Sequence, residues 1–262
     1  RDRTCLRALL TQYLAALVAH DPSRLTQAGN IRFTEDSVEK RLGEGLWQTA
    51  SALGTFRQDI LDEREGVAGT YAIVDAQGAP VMLALRLKIV DDAIAEVESL
   101  VVRNAAEGLI FRPDALKSAS AAMNVAPPPA QRESRDALVR IAERYPTGLR
   151  EGSFVKADVP FAPGAYRLEG GQLMAGPGCT IFRGCDAIRT QPIPTLPAIT
   201  WRVVAVDEDL GIVWLWENFG KGSVRVPGMS LIAWEAFKVY GGQIHAAEAF
   251  MKQMPDTTQR GW

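Results

Sequence analysis

Two apolar runs flank Gly241-Gly242 in the stretch 230-SLIAWEAFKVYGGQIHAAEAFMK-252. A Gly-Gly pair between such runs reads as a two-residue hairpin turn of the primed type. Counting back from the turn, Tyr240 faces Gln243, Val239 faces Ile244, Phe237 faces Ala246 and Glu235 faces Glu248. Side chains alternate along a strand, so this register puts both glutamates on one otherwise apolar face. Like charges placed opposite each other repel, and burial adds to the cost. A hairpin that keeps such a pair needs a reason for it.

The hairpin occurs twice. The segment 83-LALRLKIVDDAIAEVESLVV-102 aligns with 233-AWEAFKVYGGQIHAAEAFMK-252 at one constant offset, matching Lys88 with Lys238, Ile94 with Ile244 and Glu98 with Glu248. Upstream, 59-DILDEREGVAGTYAIVD-75 matches 204-VAVDEDLGIVWLWENF-219, each a strand, an acidic turn closing on Gly66 or Gly211, and a strand. Earlier still, 30-NIRFTED-36 matches 164-GAYRLEGG-171, which sets Arg32 against Arg167. Each copy opens on a helix-spaced apolar face. Leu6, Leu9, Leu10, Tyr13, Leu17 and Val18 form the first, ended by Asp21-Pro22; Leu138, Ile141, Tyr145 and Leu149 form the second, with Ser134 as N-cap and Pro146 as a kink or early end. Between them, 119-ASAAMNVAPPPAQRES-134 has the composition of a stiff, extended linker. The chain therefore divides into a first repeat over 1–118, a Pro-rich linker over 119–133 and a second repeat over 134–262.

Composition excludes more than it selects. A formal net charge of −2 offers no basic surface for nucleic acid, and no apolar run approaches a membrane span. The two histidines, His20 and His245, lie far from each other and from the three cysteines, so no zinc site and no metal centre is expected. An odd cysteine count fits a reducing compartment, with Cys5, Cys179 and Cys185 as small semi-buried thiols; pairing of Cys179 with Cys185 is the alternative. The reading is a cytoplasmic protein, with export left open because the sequence begins at Arg1 rather than Met. No P-loop, dinucleotide fingerprint or Ser-His-Asp arrangement is present, so no cofactor is expected.

Helices first and an antiparallel meander after make an α+β layer. The order of elements, together with the terminal "GQIHAAEAF" and closing "RGW", resembles the SnoaL-like branch of the NTF2-like superfamily in a tandem two-copy form. That resemblance implies two cone-shaped barrels, each a curved antiparallel sheet wrapped round its helices, joined as an internal pseudo-dimer. It leaves self-association as a homo-oligomer open.

Within the second copy, Glu217 shares its strand phase with Val213, Leu215 and Phe219, and an even register about Val226 would set it beside Glu235. The matching positions of the first copy are Ala72 and Leu85, and only Glu98 remains there. A carboxylate needed for the fold should recur in both copies, so the second cavity is expected to be the working one. The opposite phase, with Ile232, Trp234 and Ala236, is apolar too, and the sequence does not say which phase lines the cavity. Glu235, Glu217 and Glu248 are the candidate acid/base groups, because stacked carboxyls push one pKa upward. The competing reading has Glu217 and Glu235 paired with Arg167 and Arg202, or facing solvent. The resemblance extends to related ketosteroid isomerases, in which a tyrosine of the first helix donates to substrate oxygen; this implies such a role for Tyr145 and a substrate contact for Tyr13. Arg167 and Arg202 offer cations, and Trp201 and Trp216 aromatic walls, for an aromatic small-molecule substrate. The two-copy form is most similar to γ-formaldehyde lyases of lignin-dimer breakdown, which implies release of formaldehyde from a diaryl propanediol to leave a stilbene. An isomerase or dehydratase of polyketide or terpenoid metabolism, and a non-catalytic binding module, are the rivals.

Overall fold

The computed structural model describes residues 2–259 and 262, so Arg1 and the Arg260-Gly261 of the closing RGW lie outside the described residues. The opening hairpin is formed by β11 (Met229–Tyr240) and β12 (Gln243–Pro255). Gly241 and Gly242 both take positive φ, 56° and 75°, as a primed turn demands. Tyr240 faces Gln243 and Val239 faces Ile244, but a bulge at His245 then displaces the register by one. Below it Ala236 faces Glu248 and Glu235 faces Ala249. The expected Glu235–Glu248 pair is therefore not formed, and Glu248 points to the other side of the sheet. His245 is held out of the ladder by stacking on Tyr240, with ring centroids 3.4 Å apart. The first repeat has its bulge at the matching place, skipping Ala95, so the kink belongs to the fold rather than to one copy.

Each repeat carries six strands in the same order. The first sheet runs β2-β1-β6-β5-β4-β3 and the second β8-β7-β12-β11-β10-β9. The strands of the first are β1 (Gln27–Glu35), β2 (Val38–Lys40), β3 (Ala50–Asp62), β4 (Val67–Ala76), β5 (Ala79–Val90) and β6 (Ala93–Val102). Those of the second are β7 (Phe161–Glu169), β8 (Gln172–Ala175), β9 (Thr200–Asp207), β10 (Ile212–Asn218), β11 and β12. The sheets are mixed rather than wholly antiparallel, because β1 runs parallel to β6 and β7 to β12. The long connections from β1 to β6 and from β7 to β12 permit that return.

Helices fill the concave faces. The helix Arg3–Val18 packs Leu6, Leu10, Tyr13 and Leu17 against Leu83, Leu85 and Leu87. In the second repeat the helical stretch divides at Glu143 into Arg135–Ala142 and Arg144–Glu151. Ser134 caps the first by accepting from the Ala137 amide at 3.3 Å, and Pro146 sits in the first turn of the second, where its missing N–H costs nothing. Leu138, Tyr145 and Leu149 then meet Leu215, Phe237 and Val239. The α+β architecture of two tandem cones expected from the sequence is the one observed.

The convex faces pack against each other, which settles the phase question left by the sequence. Tyr71, Met82, Ala84 and Leu100 of the first sheet share a core with Trp214, Trp216, Trp234 and Phe250 of the second. Tyr71 donates to the Trp234 carbonyl at 2.5 Å and accepts from Trp214 Nε1 at 2.8 Å, so its buried hydroxyl is satisfied. The rim is reciprocal. Asp207 accepts from the Leu61 amide and pairs with Arg3, while Asp62 accepts from the Val206 amide and pairs with Arg135. The self-complementary pattern is that of a two-fold contact within one chain. The linker joins in: Met123 is buried in the shared core and Lys238 Nζ donates to the carbonyls of Val125 and Leu210.

Gly69 of β4 lies directly against this contact, and a Cβ there would come within 2.3 Å of the Trp214 ring. Gly69→Val is expected to lower stability by about 1–3 kcal/mol through overpacking, read as a reduced melting temperature. A variant that melts with the wild type would mean that the two sheets do not approach this closely.

Candidate active site

With the convex faces spent on each other, the phase of Leu215 and Phe237 points into the second cone. Glu235 faces Leu215 and Glu217 faces Ala233, so the two glutamates share the inner face as diagonal neighbours. The register is displaced by two from the side-by-side arrangement expected. Both carboxyls are buried, with 0% and 2% of Glu217 and Glu235 exposed. Burial pushes Glu217 well above the usual carboxylate range, and the charge and direct contact of Glu235 push it further. Burial also raises Glu235, opposed by its neighbours Glu217, Arg167 and Tyr145, to about 7. The pair thus holds its protons more tightly than ordinary carboxyls do and titrates as a unit.

A row of side chains leads from this pair to a cavity. Tyr145 of the helix Arg144–Glu151 stands between Glu235 and Arg167 of β7. The Arg167 guanidinium donates from Nη1 to the Tyr145 hydroxyl at 3.0 Å and from Nη2 to Gln191 Oε1 at 3.2 Å, while Nε meets Glu169 at 2.8 Å. Tyr145, Arg167 and Glu169 lie on the wall of a cavity of about 310 Å³, whose other sides include Leu149, Phe182, Ile193, Leu196 and Phe219. Neither Glu217 nor Glu235 is on that wall. They sit behind Tyr145, whose hydroxyl is the first group of the row that a ligand meets.

The first repeat shows what closes such a cavity. Strand register sets Phe33, not Arg32, at the place of Arg167, and Glu35 at the place of Glu169. The expected Arg32–Arg167 match fails because the strands align acid on acid, Glu35 with Glu169, which brings Phe33 rather than Arg32 onto Arg167. Trp47 donates from Nε1 to the Tyr13 hydroxyl at 2.9 Å, and the Leu46 amide donates to Glu35 at 2.7 Å. Only about 10 Å³ is left beside Tyr13, so its expected role in substrate binding is not supported by access. Those plugging residues come from the short connection 41–49, whereas the corresponding connection of the second repeat runs over 176–199 and supplies Phe182, Ile193 and Leu196 to the cavity wall instead. A loop of that length without regular structure is a common builder of binding sites. Cys179 and Cys185 are disulfide-bonded within it, which corrects the expectation of free thiols; Cys5 alone is free among the described residues.

Of the residues singled out from the sequence, Glu217, Glu235, Tyr145 and Arg167 come together. Trp201 lies on the inner face opposite Glu217, but its indole donates to Glu143 at 3.0 Å under the Arg150 guanidinium and does not reach the cavity wall. Arg202, Trp216 and Glu248 point into the contact between repeats. Arg202 pairs with Glu98 of the first repeat beside the Trp216 ring, and Glu248 accepts from Tyr166 at 2.6 Å. They are corrected from site to scaffold, because the bulge and the strand phase turn them away from the cavity. Sequence reasoning missed Glu169 and Gln191. The acid ending both "FTE" and "RLE" was a signal for Glu169, while Gln191 lies in a loop without pattern.

A family model described as a domain of unknown function, DUF8021, matches residues 131–251, which hold the whole row from Tyr145 to Glu235. No functionally curated protein matches the chain. Among solved structures, AclR, a putative hydroxylase from Streptomyces galilaeus, is 17% identical, covering 39% of this chain and 82% of its own, with a TM-score of 0.31. A putative ketosteroid isomerase from Kribbella flavida is 12% identical over 38% of this chain and 80% of its own, with a TM-score of 0.29. An NTF2-like protein of unknown function from Cytophaga hutchinsonii is 10% identical over 38% and 91%, with a TM-score of 0.28. Each is a likeness of one repeat's length.

Thiol titration of the denatured, unreduced protein is expected to find one thiol, rising to three after reduction. Replacing Cys179 and Cys185 by Ser should lower the melting temperature, since a disulfide contributes about 2–4 kcal/mol. Three thiols before reduction would show that the loop is not closed in this way.

Proposed function

We propose that the protein is a cofactor-independent acid/base enzyme acting on an apolar, aromatic small molecule in the cavity of the second repeat. The observation that carries this reading is a pair of buried neighbouring carboxyls, both raised above the usual carboxylate range, set behind Tyr145 on the wall of an open apolar cavity. A structural ion pair gives no reason to bring two carboxyls together, whereas a carboxyl raised towards neutrality suits proton transfer at neutral pH. Tyr145 exchanges a proton with substrate oxygen, Glu235 receives it or returns it from behind, and Glu217 supplies the neutral partner that keeps Glu235 from being raised further. Arg167 steadies the Tyr145 oxygen when it carries charge.

The reaction that best fits this chain is release of formaldehyde from a diaryl propanediol. The terminal hydroxyl loses its proton to the row, the carbon–carbon bond breaks to give formaldehyde, and the released electron pair forms the stilbene double bond. The benzylic hydroxyl leaves as water with a proton from the site, so the two protons balance. Incubation with diaryl propanediols is expected to yield formaldehyde and stilbene in equal amounts, and dialysis against EDTA is expected to leave the rate unchanged. Turnover of an unsaturated ketone to its isomer without formaldehyde would replace the lyase with an isomerase. Loss of activity on EDTA treatment, restored by a divalent ion, would overturn the acid/base reading.

Glu235→Gln gives the sharper test. Activity of the wild type is expected to rise with pH through about 7 as Glu235 ionises, and the variant to lose roughly 10²–10⁴-fold in turnover. Arg167 keeps Glu169, Tyr145 and Gln191 as partners, so the substitution strands no buried cation. The effect on stability has the opposite sign to that of an ion-pair loss. Because the folded value of Glu235 lies above its ordinary 4.5, the folded chain holds the proton more tightly, and stability falls as pH rises from 4.5 through about 7. Gln removes that fall, a gain on the order of 3 kcal/mol above neutrality. Melting curves between about pH 5 and about pH 8 would show it as a flatter profile. Native activity with a depressed melting temperature would make Glu235 a structural residue.

A further inference from the structure

Arg167 and Glu169 are the charged residues on the cavity wall, and they neutralise each other. The guanidinium donates from Nη1 to Tyr145 and from Nη2 to Gln191, and Nε lies 2.8 Å from Glu169 as an ion pair without hydrogen-bond geometry. With the Arg167 charge balanced by Glu169, a ligand carboxylate meets no unbalanced cation on the wall. Behind Tyr145 the nearest further ionisable groups are Glu235 and Glu217, so any charge beyond the ion pair is negative. Their response to Glu169 shows that its charge is felt across the site.

Gln191 holds Arg167 in place from behind the wall. It is buried, and because a guanidinium only donates, its Oε1 must face Arg167. The amide nitrogen is left at the other end without a hydrogen-bond partner among the described residues. Gln191 is not itself on the cavity wall, so it backs Arg167 rather than meeting a ligand. The surrounding wall, with Leu149, Phe182, Ile193, Leu196 and Phe219, suits an apolar body.

We infer that the cavity selects uncharged apolar ligands over the matching carboxylates, and that Glu169 is the residue that sets this selection. A carboxylate would bring a second anion beside Glu169, out of water, with a single cation already shared. The inference rests on the proposed function for the location of the site alone. Its readout is binding, which needs no turnover.

Calorimetric titration with naphthalenemethanol and with naphthoate compares one body with and without the charge. Wild type is expected to bind the alcohol on the order of tenfold tighter or more, the scale set by one like-charge contact away from bulk water. Glu169→Gln frees the Arg167 charge and should close or invert that gap, while Glu169→Asp should preserve it. Equal affinity of wild type for both ligands, no binding of the alcohol, or an unchanged gap in a folded Glu169→Gln would each overturn the inference. Should the glutamine variant fail to fold, the wild-type ranking decides alone. A protein that ranks the ligands as expected but turns over no substrate sinks the acid/base reading and keeps this one. An active protein that binds both ligands equally does the reverse.

Discussion

The back-to-back contact of the two sheets, centred on Trp214, Trp234 and Tyr71 and clamped at its rim by Asp62 and Asp207, leaves neither sheet a solvated central face. Concave faces are filled by helices and convex faces by each other. A polar side chain on a central strand then has nowhere wet to go. On the convex side the chain satisfies such groups across the contact, as with Arg202 on Glu98. On the concave side of the first repeat it avoids them with Leu83, Leu85 and Leu87. Glu217 and Glu235 on the concave side of the second repeat are departures from that economy, and the open cavity lies beside them.

Their electrostatics explain how the fold tolerates them. Two buried, ionised carboxylates in contact would cost more than a domain can spare. Holding protons more tightly removes charge from the pair, and the neighbouring Tyr145 and Arg167 hold down the cost of what remains. The same compromise leaves the pair a proton to exchange near neutrality. Arg167 is in turn anchored by Glu169, so the row ends on an ion pair at the cavity wall rather than on an unpaired charge.

The repeat, the hairpin and the order of elements were legible in the sequence because they are local. A Gly-Gly turn, a Pro-rich connection and helical spacing each announce themselves within a few residues. The bulge was not legible, since nothing about Ala95 or His245 marks a skipped position, and one skipped residue reverses the face of Glu98 and Glu248. The inner phase could not be chosen because both phases are apolar, for the reason given by the sheet contact. Glu235, Glu217, Tyr145 and Arg167 were found because each is a polar group on an apolar face, or matches such a group. Gln191, Phe182 and Ile193 were beyond reach, because the fold of 176–199 is set by tertiary contacts and a disulfide rather than by periodicity.

The plug formed by Trp47 against Tyr13 bears on how the chain tolerates mutation. One copy has surrendered its hollow to packing and holds the other in shape, so errors there are felt as loss of folded protein. The other copy keeps its hollow, walled in part by the connection 176–199, so exchanges at Phe182 or Ile193 change the lining of that hollow rather than the strands. Selection can therefore rewrite what enters the second cavity without reopening the question of whether the molecule stands. A duplicated domain gains this freedom only when its two halves stop being equal.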